Sequence, residues 1–271
     1  MQRFVDIPNV GRAMRLGLAT RGNTVLHPDD VHSAIERGIN YLNWCGHPDG
    51  MRDAVRQLRS NRSDVMVAVQ CSARTAKDAG QELQRLLREL NTDYLDVVTY
   101  YYVEQESEWT QITSQGGAAE VLESARSDGV VRAIGLTSHQ RRLAAGWARS
   151  GRLDLLMIRY NAAHRGAETD VFPVTRTLEL PTVAFTCQRW SCLSSPTPDD
   201  PHGIQLPSAP EWYRFALSCP DVSVALMAPN GRQELDGNLT LIDDWTACSP
   251  ANWDALTAHG DRVRRHAGEF P

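Results

Sequence analysis

The sequence predicts an α/β fold, a single closed (β/α)8 barrel of the TIM type with an extra C-terminal helix, and three observations carry that prediction. Eight short apolar runs alternate with segments of helical period along the whole chain. The length of 271 residues suits one such barrel. Neither an internal repeat nor a break in composition divides residues 1–271, so one domain is expected. Strict alternation of this kind calls for parallel strands, because each crossover between them passes through a helix.

Strands are expected at 14–18, 41–44, 65–70, 94–99, 131–136, 155–159, 182–186 and 222–227. Most of their positions are apolar, as in strands covered on both faces. Helices are expected to begin near Pro28, Asp49, Ala76, Gly116, Arg141, Ala167, Pro210 and Arg232. His27-Pro28-Asp29-Asp30 has the chemistry of a helix start, with proline in the first turn and acids near the positive end of the helix dipole. Gly38 and Gly129 suit the position just past a helix end, where positive φ is needed. A further helix at 251–267 would pack on the outside of the barrel. Residues 191–210 hold five prolines and two aspartates and predict an irregular excursion after the seventh strand. That is the C-terminal mouth, where barrel enzymes place substrate loops, although a surface excursion without function fits equally well.

Composition excludes several function classes. The 28 Lys and Arg stand against 33 Asp and Glu, a net charge of -5, which argues against a nucleic-acid partner. Apolar runs such as 222–227 are far shorter than the roughly 20 residues of a membrane span. Residues 1–10 carry no apolar signal region, so a soluble cytoplasmic protein with no membrane partner is expected. The six cysteines, Cys45, Cys71, Cys187, Cys192, Cys219 and Cys248, are dispersed and lack the spacing of a metal site or a disulfide scaffold. They read as reduced thiols, and no metal is expected. Lys77 is the only lysine; any lysine-dependent chemistry must use it or do without.

Several blocks recur in a telling order: Gly38-Ile39-Asn40-Tyr41-Leu42, Thr92-Asp93-Tyr94-Leu95-Asp96, and Val131-Arg132-Ala133-Ile134-Gly135-Leu136-Thr137-Ser138. They are followed by Arg159-Tyr160-Asn161 with Arg165, by Val183-Ala184-Phe185-Thr186, and by Asn230-Gly231-Arg232-Gln233 through Asn238-Leu239. With these blocks the chain resembles the aldo-keto reductase superfamily over almost its whole length. The resemblance implies a barrel that reduces carbonyls by hydride transfer from NADPH. It also implies a tyrosine as proton donor, a lysine and an aspartate tuning that tyrosine, and a histidine orienting the carbonyl. Here the aspartate position is Asn43, the lysine position Gln70 and the histidine position Tyr101. The tyrosine position falls on Pro48, or on His47 if the loop is one residue shorter. A phenol with a pKa near 10 is a poor acid at neutral pH unless a nearby ammonium favours the phenolate. Gln70 supplies no ammonium, and Lys77 lies in or next to a helix beyond the strand.

Asn43, His47, Gln70 and Tyr101 are nevertheless all polar and all at strand C-termini, and they are the candidate catalytic groups. His47, with an unperturbed pKa of about 6.5, suits acid-base work without a lysine. Asp49 is placed either to orient it or to cap the next helix. Trp44 and Trp109 are candidate substrate walls, whereas Cys45 and Cys71 read as small filler rather than nucleophiles. For NADP(H), the resemblance assigns Thr137, Ser138, Asn161 and Phe185 to the nicotinamide end, with Met157 in place of a glutamine, and Arg232 and Asn238 to the 2′-phosphate and adenine end. Glu234 beside an anionic nucleotide weakens binding, so NADP(H) is left as a weakened or lost cofactor.

Three functions remain open at this point, each with a small molecule as partner. The first is a barrel enzyme that has exchanged hydride transfer for acid-base chemistry such as cyclisation, dehydration or isomerisation. The second is a divergent NADP(H)-dependent oxidoreductase of carbonyl compounds. The third is a catalytically inactive barrel that binds a metabolite.

Overall fold

The structure is a computed structural model that describes residues 1–21, 25–266 and 268. It opens with an antiparallel hairpin, β1 (Phe4–Ile7) and β2 (Gly11–Met14). Eight strands then form a closed barrel: β3 (Leu16–Ala19), β4 (Tyr41–Trp44), β5 (Met66–Cys71), β6 (Leu95–Tyr100), β7 (Val131–Ser138), β8 (Leu155–Arg159), β9 (Thr182–Phe185) and β10 (Val224–Met227). Neighbours pair in parallel and β10 closes on β3, with Ala225 opposite Leu16. This is the (β/α)8 architecture the sequence predicts.

The helices are α1 (Pro28–Glu36), α2 (Gly50–Leu58), α3 (Ala76–Leu90), α4 (Glu106–Thr113), α5 (Ala118–Ser127), α6 (Arg141–Ala148), α7 (Ala167–Asp170), α8 (Phe172–Thr177), α9 (Ala209–Ser218), α10 (Arg232–Leu239) and α11 (Pro250–His266). The cap chemistry is as expected at α1, where the His27 side chain accepts from the Asp29 N–H and the Asp30 carboxylate accepts from the His27 N–H. Gly38 follows α1 at φ 96, and its N–H donates to the Ile35 carbonyl at 2.8 Å. The expected last residue of the terminal helix, Ala267, lies outside the described residues. No helix among the described residues is long and apolar enough to cross a membrane.

Three departures from the expectation have local causes. The run at 14–18 divides at Arg15, whose guanidinium turns away to donate to the carbonyls of Leu217 and Val222 at 3.0 and 2.7 Å. Met14 therefore ends the hairpin and the barrel strand starts at Leu16. The hairpin itself lays Ile7 and Ala13 against the barrel interior, an allegiance that two four-residue strands do not advertise by periodicity. The helix expected from Gly116 starts at Ala118, preceded by α4, whose short apolar face holds only Trp109 and Ile112.

Residues of alternating register fill the barrel, with Tyr41, Val97, Leu155, Val183 and Leu226 among them, while the opposite faces of the strands meet the helices. Gly135 marks how tight this interior is: a Cβ there would stand 2.7 Å from Leu155 Cδ1 and 3.0 Å from Thr99 Cγ2. At the N-terminal end of β6 the fully buried Asp96 carboxylate accepts from Arg62 at 2.8 Å, Arg132 at 2.9 Å and the Val67 N–H at 2.9 Å. The two guanidinium groups lie over the ring of Tyr94, at 4.4 and 4.2 Å. The Tyr94-Leu95-Asp96 block is thus a clamp at the barrel floor, away from the mouth.

Candidate active site

A cavity of about 420 Å3 opens at the C-terminal mouth, where the strand ends converge. Its lining takes Thr20 and Arg21 from the end of β3, Asn43 and Cys45 from β4, Gln70 from β5, Tyr101 and Tyr102 from β6, Thr137 and His139 from β7, and Phe185 from β9. A wider, open depression of about 670 Å3 lies at the other end, beside Arg62 and Tyr94. Arg62 there is committed to Asp96, so the mouth is the candidate site.

Asn43, Gln70 and Tyr101 are brought together here, as the sequence suggests. His47 is not: it sits exposed on the turn before α2 and is outside the cavity lining. Its carbonyl accepts the Trp44 Nε1–H at 2.8 Å. Asp49 caps α2, accepting the Arg52 N–H at 2.9 Å, so of its two expected roles the capping one is realised. Trp44 and Trp109 are likewise not walls of the mouth. The two-residue period of a strand turns Trp44 away from the barrel when Asn43 and Cys45 face in, and its side chain is fully buried under the helices. Trp109 packs inside α4 between Tyr100 and Trp147, with ring centroids at 6.0 and 5.6 Å. Lys77 is exposed on the first turn of α3 and does not line the cavity.

The same alternation exposes what sequence reasoning missed. Thr137 faces in, so residue 139 faces in too, and His139 is readable from the Val131–Ser138 block by counting in twos. Its backbone N–H donates to Glu104 Oε1 at 2.8 Å, and its ring Nδ1 lies 3.4 Å from that oxygen. Burial holds the imidazole below its usual pKa against the pull of Glu104, and the Arg159 charge adds to burial. Tyr102 stacks between His139 and Tyr101, with centroids at 4.5 and 4.0 Å. Burial and the neighbouring Tyr102 hydroxyl push the Tyr101 phenol up, so it stays protonated and donating at neutral pH. Burial also pushes the Cys45 thiol up to about 12, helped by Asp49, and the Cys71 thiol to about 12, helped by Glu82. Neither thiol forms a nucleophilic thiolate near neutrality.

Two polar atoms at the cavity, the Thr20 hydroxyl oxygen and Asn43 Oδ1, are buried without a hydrogen-bond partner among the described residues, in residues each only 1% exposed. A buried polar atom left in that state costs about 1–3 kcal/mol, which a bound hydrogen-bond donor relieves.

Of the expected excursion at 191–210 only Ser191 lines the mouth, joined there by Gln188 and Trp190 from the turn that precedes it after β9. Arg189, Trp190 and Ser191 follow one another at φ 48, 52 and 69, a left-handed run that costs about 1–2 kcal/mol per residue. The segment is anchored from behind. His259 lies buried with Nδ1 3.1 Å from Asp200 Oδ1 and Nε2 2.9 Å from the Leu193 carbonyl, so both ring nitrogens face acceptors. Burial works against the Asp200 carboxylate, but the Thr197 N–H, Arg262 and His259 together hold it down at about 2. A carboxyl whose folded pKa is depressed stabilises the fold above its unfolded value of about 4 and loses that contribution as pH falls through about 2. Hydrogen exchange over 191–208 is therefore expected to quicken between pH 4 and 2 before the barrel strands respond. Asp200→Asn is expected to show the same loss of protection already at pH 7.

Of the nucleotide positions named from the resemblance, Ser138, Asn161 and Arg232 are engaged in other bonds. Ser138 Oγ accepts the Gln140 N–H at 2.9 Å, and the Asn161 amide donates to the Thr186 carbonyl at 2.9 Å while accepting the Ala163 N–H at 3.0 Å. Arg232 is paired with Asp236 at 2.8 Å and lies 3.7 Å from Asp30. Asn238 is buried, and the Glu234 carboxylate lines the cavity while accepting the Asn230 N–H. Thr137 and Phe185 do face the cavity, but an acid in the lining and an arginine held by two aspartates do not fit a dinucleotide phosphate.

The sequence matches the model of the aldo/keto reductase family over residues 14–196. Among solved structures the chain is similar to an aldo-keto reductase from Bacillus halodurans in its holo form, with a TM-score of 0.74 and 16% identity over 96% of each chain. It is also similar to an aldo/keto reductase from Klebsiella pneumoniae in complex with NADP and acetate, with a TM-score of 0.75 and 17% identity over 96% of each chain. An aldo/keto reductase from Brucella melitensis aligns with a TM-score of 0.74 and 14% identity, over 96% of this chain and 98% of that one. No curated protein matches the sequence.

Proposed function

The chain belongs to the aldo/keto reductase family, and from that premise we propose that its mouth is an active site for proton transfer on a small organic molecule rather than for lysine-assisted hydride transfer. The observation that carries this reading is the pair of buried polar atoms without a partner among the described residues, the Thr20 hydroxyl oxygen and Asn43 Oδ1, in a cavity that also holds the Tyr101 phenol and the Gln70 amide. A cavity that only fills space has no reason to keep polar atoms waiting for a partner. Tyr101, kept protonated by burial, donates to a substrate oxygen, while Asn43 and Gln70 orient the molecule. Cyclisation, dehydration and isomerisation all need only this and a base.

A second reading, NADP(H)-dependent reduction, draws its support from Thr137 and Phe185, a hydroxyl and an aromatic face that line the cavity. The two readings separate in one assay. Incubation with a panel of small carbonyl compounds is expected to yield product at the same rate with and without NADPH, with no loss of the reduced nucleotide's absorbance. NADPH consumption matched by carbonyl reduction, with no product when it is left out, would overturn the proposal.

A further inference from the structure

The geometry points to His139, backed by Glu104, as the base that removes the proton next to a carbonyl in a substrate that carries an aromatic ring. This inference rests on the proton-transfer reading and names its base and its substrate class. The negative charge of Glu104, 3.4 Å from Nδ1, favours the tautomer that carries its proton on that nitrogen and leaves the lone pair on Nε2. That tautomer belongs to a ring that lines the cavity. The groups facing it are Glu104 from the segment after β6, Arg159 at the end of β8, and the Tyr102 ring. Against the pull of Glu104, burial and Arg159 keep the ring neutral at neutral pH and able to take a proton.

The walls around His139 select the ligand. Phe185 meets its ring edge to face at 5.7 Å and 72°, and Tyr102 and Tyr101 continue the stack. These rings cover one another in part, and all of them line the cavity, so together they give it an apolar wall that suits a substrate with a ring of its own. Next to them stand the Tyr101 phenol and the Gln70 amide, donors for a carbonyl oxygen. The step balances without an oxidant or reductant. Nε2 forms a bond to the α-proton, the C–H pair becomes the C=C bond of an enolate, and the carbonyl π pair moves to the oxygen, where Tyr101 donates. Return of the proton to another carbon, or departure of a leaving group from the β-carbon, completes an isomerisation or a dehydration. Glu104 is the positioning residue, and His139 the one that touches substrate.

The test uses 2-bromoacetophenone, a ring-bearing ketone whose α-carbon carries a bromide. Nε2 attacks that carbon, the C–N bond forms, the C–Br bond breaks with loss of bromide, and the ring proton passes to Glu104 or solvent. Peptide mapping of the wild-type protein is expected to find one equivalent of label on His139, blocked by excess acetophenone. His139→Gln is expected to remove that label. Glu104→Gln withdraws the charge that raises the imidazole pKa, so it is expected to slow labelling and move its pH midpoint downward, which a purely structural role would not do. Label confined to cysteines or to His47, or labelling of His139 that acetophenone leaves unprotected, would overturn the inference. If His139 is labelled as expected but the carbonyl panel consumes NADPH, the proton-transfer reading fails while the dyad stands. If product forms without nucleotide but His139 escapes labelling, the dyad fails and the reading stands.

Discussion

Tyr101→Phe is expected to lower turnover of the nucleotide-independent reaction by about 10^2- to 10^3-fold, the usual cost of removing one hydrogen-bond donor from a developing oxyanion. The substitution keeps the ring that stacks on Tyr102 at 4.0 Å and removes only the hydroxyl. The fold and the aromatic wall should therefore survive, and the loss should appear in kcat with little change in KM. Steady-state kinetics on purified variant and wild type check this, with circular dichroism to show that the barrel is intact. A rise in KM at unchanged kcat would make Tyr101 a binding group and not a donor in the transition state.

The largest stability effect is expected at the other end of the barrel. Asp96→Ala leaves Arg62, only 8% exposed, without its carboxylate and takes away the acceptor of the Val67 N–H. Removing one partner of a buried ion pair costs about 3–5 kcal/mol, because the other charge stays buried. Arg132 adds less, being more than one-third exposed on its side chain. Urea denaturation should show a lower midpoint at an unchanged slope, with the product of midpoint shift and slope equal to that loss. Because Asp96 lies far from the mouth, the folded fraction should keep its activity.

The two ends of the barrel are legible in the sequence to different degrees. The barrel strands at 41–44 and 155–159 coincide with the expectation because parallel strands covered on both faces are apolar throughout and bounded by turn residues. The hairpin β1–β2 and helix α4 escaped because each is too short to show a period, and tertiary contacts settle it. At the site, Asn43, Gln70 and Tyr101 are legible through the family resemblance, which sets them at strand ends. His47 and Trp44 were not, for opposite reasons. The turn at 45–49 carries His47 outward into solvent, and strand alternation carries Trp44 outward into the helical layer. His139 needed the same alternation applied one residue beyond the matched block. Glu104, which holds it, is 35 residues away in sequence and is joined to it only by the fold.

The lone lysine points the same way as this geometry, since Lys77 lies exposed on α3 and not at the mouth. The proposed proton-transfer reaction needs no dinucleotide. Isothermal titration of the purified protein with NADP+ and NADPH up to millimolar concentration tests this directly. The account predicts no saturable heat with either nucleotide; a micromolar Kd for NADP(H), abolished by Arg232→Ala or Phe185→Ala, would contradict it.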